Sequence, residues 1–152
     1  MSEHVGLVDL PPGQVRDVVL QVGTGTLREE DVPLVVGAVP GRTVMVTGGP
    51  ARFTARVSGV PLTIEVDRAS GWVQARGQWW WCGRLQVEEH PEGALIRRRT
   101  YNLATGPIAR AVPLTVGRGH RESGREALIG VLDTFERRFG ARTRLLPAGE
   151  GR

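Results

Sequence analysis

The residues best equipped for chemistry here are arginines and tryptophans, and both come in triplets. Arg97, Arg98 and Arg99 sit inside A-L-I-R-R-R-T-Y-N-L-A at 94–104, and Trp79, Trp80 and Trp81 sit inside G-Q-W-W-W-C-G-R-L-Q-V-E-E at 77–89. A strand sends neighbouring side chains to opposite faces, so each triplet must be split between an inner and an outer face. An arginine on the inner face needs a counter-charge. It would pair with an acid of the chain or with an acidic ligand, whereas on a solvated strand end it needs neither. If Ile96 points inward, so do Arg98, Thr100 and Asn102. If Leu95 does, Arg97, Arg99 and Tyr101 do.

The other reactive side chains are sparse. His4 lies near the N-terminus, His90 in a turn and His120 in a glycine-rich segment, and none has a metal-ligand spacing such as H-x-x-x-H. The expectation is no metal and no cofactor. Cys82 is the single cysteine, so no intramolecular disulfide forms. A catalytic thiol would need a histidine partner, and none is close in sequence. All 20 basic residues are arginine, so lysine Schiff-base chemistry is excluded. G-T-G at 23–25 and G-R-G at 117–119 lack the strand context of a phosphate loop.

On a regular strand Trp79, Trp81, Leu85 and Val87 share one face, with Gly83 among them. Trp80, Cys82, Arg84, Gln86 and Glu88 share the other. Only the first set is consistently apolar, so it faces inward. Two buried tryptophans would contribute about 7–12 kcal/mol of gross hydrophobic gain as an upper bound. Gly83 leaves a gap for a ligand or another backbone. Trp80 either packs on a neighbour such as Arg84 or Arg76, or meets a second subunit.

The elements that must position these residues follow from periodicity. H-V-G-L-V-D-L at 4–10 reads as a strand. Pro12 opens a helix through Val22 with apolar positions 15, 18, 19 and 22, and Gly23 and Gly25 end it. Residues 28–39 are ambiguous, with room for a second short helix before Pro33. From Arg42 to Ala104 the period is two, in five or six strands joined by short turns. Phe53, Ala55 and Val57, then Leu62, Ile64 and Val66, face one way. His90-Pro91-Glu92-Gly93 has type I turn chemistry. Thr105-Gly106-Pro107 could start a helix that Pro113 ends. S-G-R-E at 123–126 is a capping box. It precedes a stripe of Leu128, Leu132, Phe135 and Phe139 that Gly140 terminates.

At 152 residues the chain is expected to be one domain over 1–146, with a disordered tail at 147–152. No apolar run approaches a membrane span and no basic-then-apolar leader is visible, so a cytoplasmic location is expected. The net charge of +4 and pI of about 10.8 suggest nucleic acid. The arginines are nevertheless spread among 16 acids, and alternation splits their densest cluster, so no nucleic-acid partner is expected.

The opening V-D-L-P-P-G-Q-V-R-D-V-V at 8–19, the G-Q-W-W-W-C-G-R-L-Q-V-E-E block, R-T-Y-N-L-A at 99–104 and R-R-F-G at 137–140 together resemble the START-like superfamily. This superfamily is also called SRPBCC, or polyketide cyclase/dehydrase-like. The resemblance implies an α+β helix-grip fold. In it a curved antiparallel sheet wraps around a long C-terminal helix, with short helices after the first strand. It implies a cavity between sheet and helix for a lipid or polyketide-like molecule, and the register with Arg98 and Asn102 inward. The break at Pro113–Gly119 departs from the expected single uninterrupted helix.

The expected ligand-binding set is Phe53, Val57, Ile64, Trp79, Trp81, Leu85, Arg98, Asn102, Leu128, Leu132 and Phe135. The alternative for each apolar member is that it fills a solid core. Three functions compete: a binding module for a hydrophobic or amphipathic small molecule, a polyketide cyclase using donors such as Arg98, Tyr101 or Asn102, and an interaction module that makes a homodimer through Trp80. The pocket face offers no expected Asp, Glu or His as general base, which favours binding over catalysis.

Overall fold

A computed structural model describes residues 1–38, 40–77, 81–102, 117–147 and 149, without the side chains of 102 and 117–122. Period-two alternation dominates it. Strands β3 (Thr43–Gly48), β4 (Arg52–Val57), β5 (Val60–Asp67), β6 (Trp72–Arg76), β7 (Trp81–His90) and β8 (Gly93–Asn102) form an antiparallel meander. The register aligns Phe53 with Ile64, Ile64 with Ala75, Val73 with Leu85 and Val87 with Ile96. All of these side chains therefore lie on one face, and all are buried. The β4–β5 turn is the pair Ser58-Gly59, both at positive φ, the geometry of a two-residue hairpin. At the β7–β8 turn Gly93 has φ 140, and a Cβ there would collide with the Val8 carbonyl oxygen, so only glycine fits.

The sheet continues past the meander at both ends. Strand β1 (Ser2–Val8) pairs with β8, and β9 (Thr143–Leu146) pairs with β1. At the other edge β2 (Gly25–Arg28) pairs with β3. The order is β2-β3-β4-β5-β6-β7-β8-β1-β9.

This overturns the expected α+β helix-grip architecture. The chain is mostly β, an open nine-stranded antiparallel sheet with two α-helices among the described residues. The excess strand comes from short edges. Gly25, expected to end a helix, opens β2 instead. The expected second helix is a single 3₁₀ turn, Glu29–Asp31. Four-residue strands hold only two alternation periods, too few to stand out from flanking loops.

Helix α1 (Pro12–Val19) begins at Pro12 and buries Val15 and Val19. It stops at Val19 rather than continuing to Val22. Helix α2 (Gly117–Phe139) starts six residues before the capping-box Ser123. It packs on β1, β8 and β9. Leu128, Val131, Leu132 and Phe135 form its buried stripe, whereas Phe139 is 36% exposed. Contact is close at Gly6, where a Cβ would sit 2.9 Å from Leu132 methyl carbons. One main core cluster unites the inner sheet face with both helices. A smaller one, Val5, Leu7 and Leu95, lies on the outer face. The expected helix at 105–112 and most of the expected tail fall outside the described residues. Among the described residues no helix is long and apolar enough to cross a membrane.

Candidate functional site

The Ile96 register decides which arginine of the triplet turns inward. Ile96 is fully buried in the main core, so Arg98 and Thr100 share its face, while Arg97 and Arg99 face out. The two environments are unlike. Arg97 gives a bidentate pair to Glu88, Nε to Oε1 and Nη2 to Oε2, both 3.0 Å, and a third contact to Glu3 at 2.7 Å. Arg99 reaches the second Glu3 oxygen at 2.7 Å. The hydrogen bonds from Arg99 and Arg97 hold the Glu3 carboxyl below its ordinary pKa, and Glu88 raises the Arg97 guanidinium above its own.

Arg98 has none of this. It is 6% exposed, its Nε has no hydrogen-bond partner, and no carboxylate of the described residues pairs with it. Burial alone lowers its pKa, the direction expected of a cation removed from water without a counter-ion. An arrangement of this kind costs several kcal/mol. The guanidinium lies over Gly83. A Cβ there would come within 3.2 Å of Arg98 Nη2 and 2.8 Å of Trp81 Cζ2. The gap expected at Gly83 is therefore occupied by these two side chains.

Arg98 lines a cleft of about 870 Å³ between residues 28–38 and the Glu126–Arg137 stretch of α2. The apolar wall is Val32, Leu34, Val35 and Val36 on one side, Ala127 and Val131 on the other. Pro33 shapes the first side, its carbonyl accepting from the amides of Val36 and Gly37 at 3.0 and 3.1 Å. Glu29 stands at φ 48, in the left-handed region, where β2 breaks into the 3₁₀ turn. The mouth carries Glu29, Glu30, Asp31 and Glu126 with Arg28 and Arg137, all exposed. Arg137 binds Glu30 at 2.7 Å and ties helix to segment. The Thr134 hydroxyl, also in the lining, donates to the Gly130 carbonyl at 3.0 Å.

Of the expected binding residues, Arg98 lines this cleft. Phe53, Ile64, Leu85, Leu128, Leu132 and Phe135 are packed in the main core, and Val57 and Trp81 lie half-buried against it. For these apolar residues the core-filling alternative describes what is seen. Asn102 pairs with Trp81 at the end of the β7–β8 ladder; its side chain lies outside the described residues. Trp79 and Trp80 lie outside them as well.

Sequence reasoning missed the 28–40 wall and the acids at the mouth. The usable signal was V-P-L-V-V-G-A-V-P at 32–40, an apolar run between prolines that no period assigns to a strand. It also set aside His4, which the register places on the inner face opposite Arg98. His90 Nδ1 only accepts the Glu92 amide in its turn, at 3.1 Å. Cys82 lies on the outer face, buried, with its pKa pushed up by burial, which disfavours a thiolate nucleophile. Arg84 on that face stacks over the Trp72 ring at 4.1 Å and bonds to Gln74 Oε1 at 2.7 Å.

No family model matches the chain, and no curated protein matches it. Among solved crystal structures, TTHA0849 from Thermus thermophilus is similar across 87% of this chain and 95% of its own. The sequence identity is 13% and the TM-score 0.47. A likeness at that level bears on no functional assignment.

Proposed function

We propose that this chain is a binding module for an amphipathic small molecule, lipid- or polyketide-like, held in the cleft between residues 28–38 and α2. The observation that carries the reading is Arg98, a buried cation without an acidic partner among the described residues, set in a cleft with an apolar wall. Ligand pockets typically combine such a wall with a few placed polar groups in about 300–1,000 Å³, and about 870 Å³ falls within that range. The acids of the lining stand exposed at the mouth while the apolar wall lies behind them, an arrangement that favours binding without turnover. The proposed setting is the cytoplasm.

Native mass spectrometry of the purified protein, before and after denaturation, tests this. The reading predicts a bound mass released on unfolding, or uptake of an added amphipath with one-to-one stoichiometry. A bare protein that takes up no amphipath would contradict it.

A further inference from the structure

We infer that the polar end of the occupant is a single carboxylate that pairs with Arg98, so that the cleft takes free acids in preference to their esters. This rests on the binding reading above. The guanidinium lies against Gly83 beside the Trp81 ring. Arg98 keeps only 6% of its surface in water, and its Nε is unpartnered. A carboxylate matches the planar fork of a guanidinium with two parallel hydrogen bonds. A neutral head, such as an ester, would leave the cation buried and unpaired.

The surroundings argue for one negative charge rather than two. Arg98 is the buried cation of the lining. Four carboxylates, Glu29, Glu30, Asp31 and Glu126, stand at the mouth against Arg28 and Arg137, and Arg137 is already paired with Glu30. A phosphate would bring a second charge into this field and find no second guanidinium in the interior among the described residues. The Thr134 hydroxyl proton is committed to the Gly130 carbonyl, so it offers that phosphate nothing. The wall of Val32, Leu34, Val35 and Val36 suits an aliphatic or alicyclic body behind the carboxylate.

The test uses the full chain with decanoate, methyl decanoate and decyl phosphate, each below its micellar range, measured by calorimetric titration on wild type, Arg98→Met and Arg98→Lys. Wild type is expected to bind decanoate about tenfold to a hundredfold more tightly than the methyl ester, and decyl phosphate more weakly than decanoate. Arg98→Met should lose the preference and still bind the ester, which also shows that it is folded. Arg98→Lys should keep part of the preference. Equal binding of acid and ester by wild type, an undiminished preference in Arg98→Met, or tighter binding of decyl phosphate would overturn the assignment while leaving the cleft reading intact. Failure of wild type to bind any of the three would remove both.

Discussion

Arg97 and Arg98 are neighbours in one strand and live in opposite worlds. Arg97 faces out, yet it is nearly as buried, and it is held by Glu88 on β7 and Glu3 on β1. Arg98 faces in and is held by no acid among the described residues. Both cations lose water, and among the described residues Arg97 alone of the two recovers the loss through carboxylates. A chain selected for stability alone would place an apolar side chain at 98, since well-packed apolar replacements of buried ions are commonly neutral or stabilising. The difference between the two arginines sets a residue that ties β8 to β7 and β1 beside the one for which we propose an outside partner.

The comparison can be broken by exchanging each arginine in turn. Arg97→Met should show the largest effect, a loss of about 3 kcal/mol in urea unfolding, because it strips Glu88 of its bidentate partner and leaves Glu3 with Arg99 alone. A loss under about 1 kcal/mol would mean that the outer network is decorative. Arg98→Met should move the other way and raise ligand-free stability by about 1–3 kcal/mol. Gly83→Ala forces a Cβ into the Trp81 ring and crowds Arg98. It should cost about 1–2 kcal/mol and weaken binding of a carboxylate more than of its ester.

Smaller effects sharpen the outer half. Glu3 has a lowered pKa in the folded chain, so the unfolded chain binds its proton first as pH falls. Its contribution is complete above the unfolded glutamate value and disappears as pH falls through the lower, folded one. Glu3→Gln should thus cost on the order of 1 kcal/mol at neutral pH and nothing at low pH, as followed by unfolding at a series of pH values. Arg137→Gln removes the exposed tie to Glu30 and should change stability by less than about 0.5 kcal/mol, while loosening residues 28–40 in hydrogen exchange.

The meander was legible because its strands are long enough to repeat their pattern: Phe53, Ala55 and Val57 against Leu62, Ile64 and Val66 declare one face. Alternation tied Arg98 to Ile96 and Arg97 to Leu95, but which pair turns inward stayed open until the burial of Ile96 decided it. What stayed hidden depends on contacts distant in sequence. β9 becomes a strand because β1 offers it an edge, and nothing in T-R-L-L states that. The cleft wall at 32–36 is shaped by the turn at Pro33 and by burial of Val32 and Val35 in the main core, neither of which has a period. Trp81 and Leu85 suggested a cavity because apolar strand faces look alike whether they border a void or fill a core. Volume decides between those outcomes, and it is a property of the assembled chain.

The proposal turns on Arg98, whose Nε has no hydrogen-bond partner and which pairs with no carboxylate among the described residues. The most direct measurement is urea unfolding of wild type and Arg98→Met, each with and without decanoate. Without decanoate the variant is predicted to be the more stable; with it, wild type gains and the order reverses. If Arg98→Met is less stable than wild type in the ligand-free state, the guanidinium is satisfied within the protein, and the site argued from it does not exist.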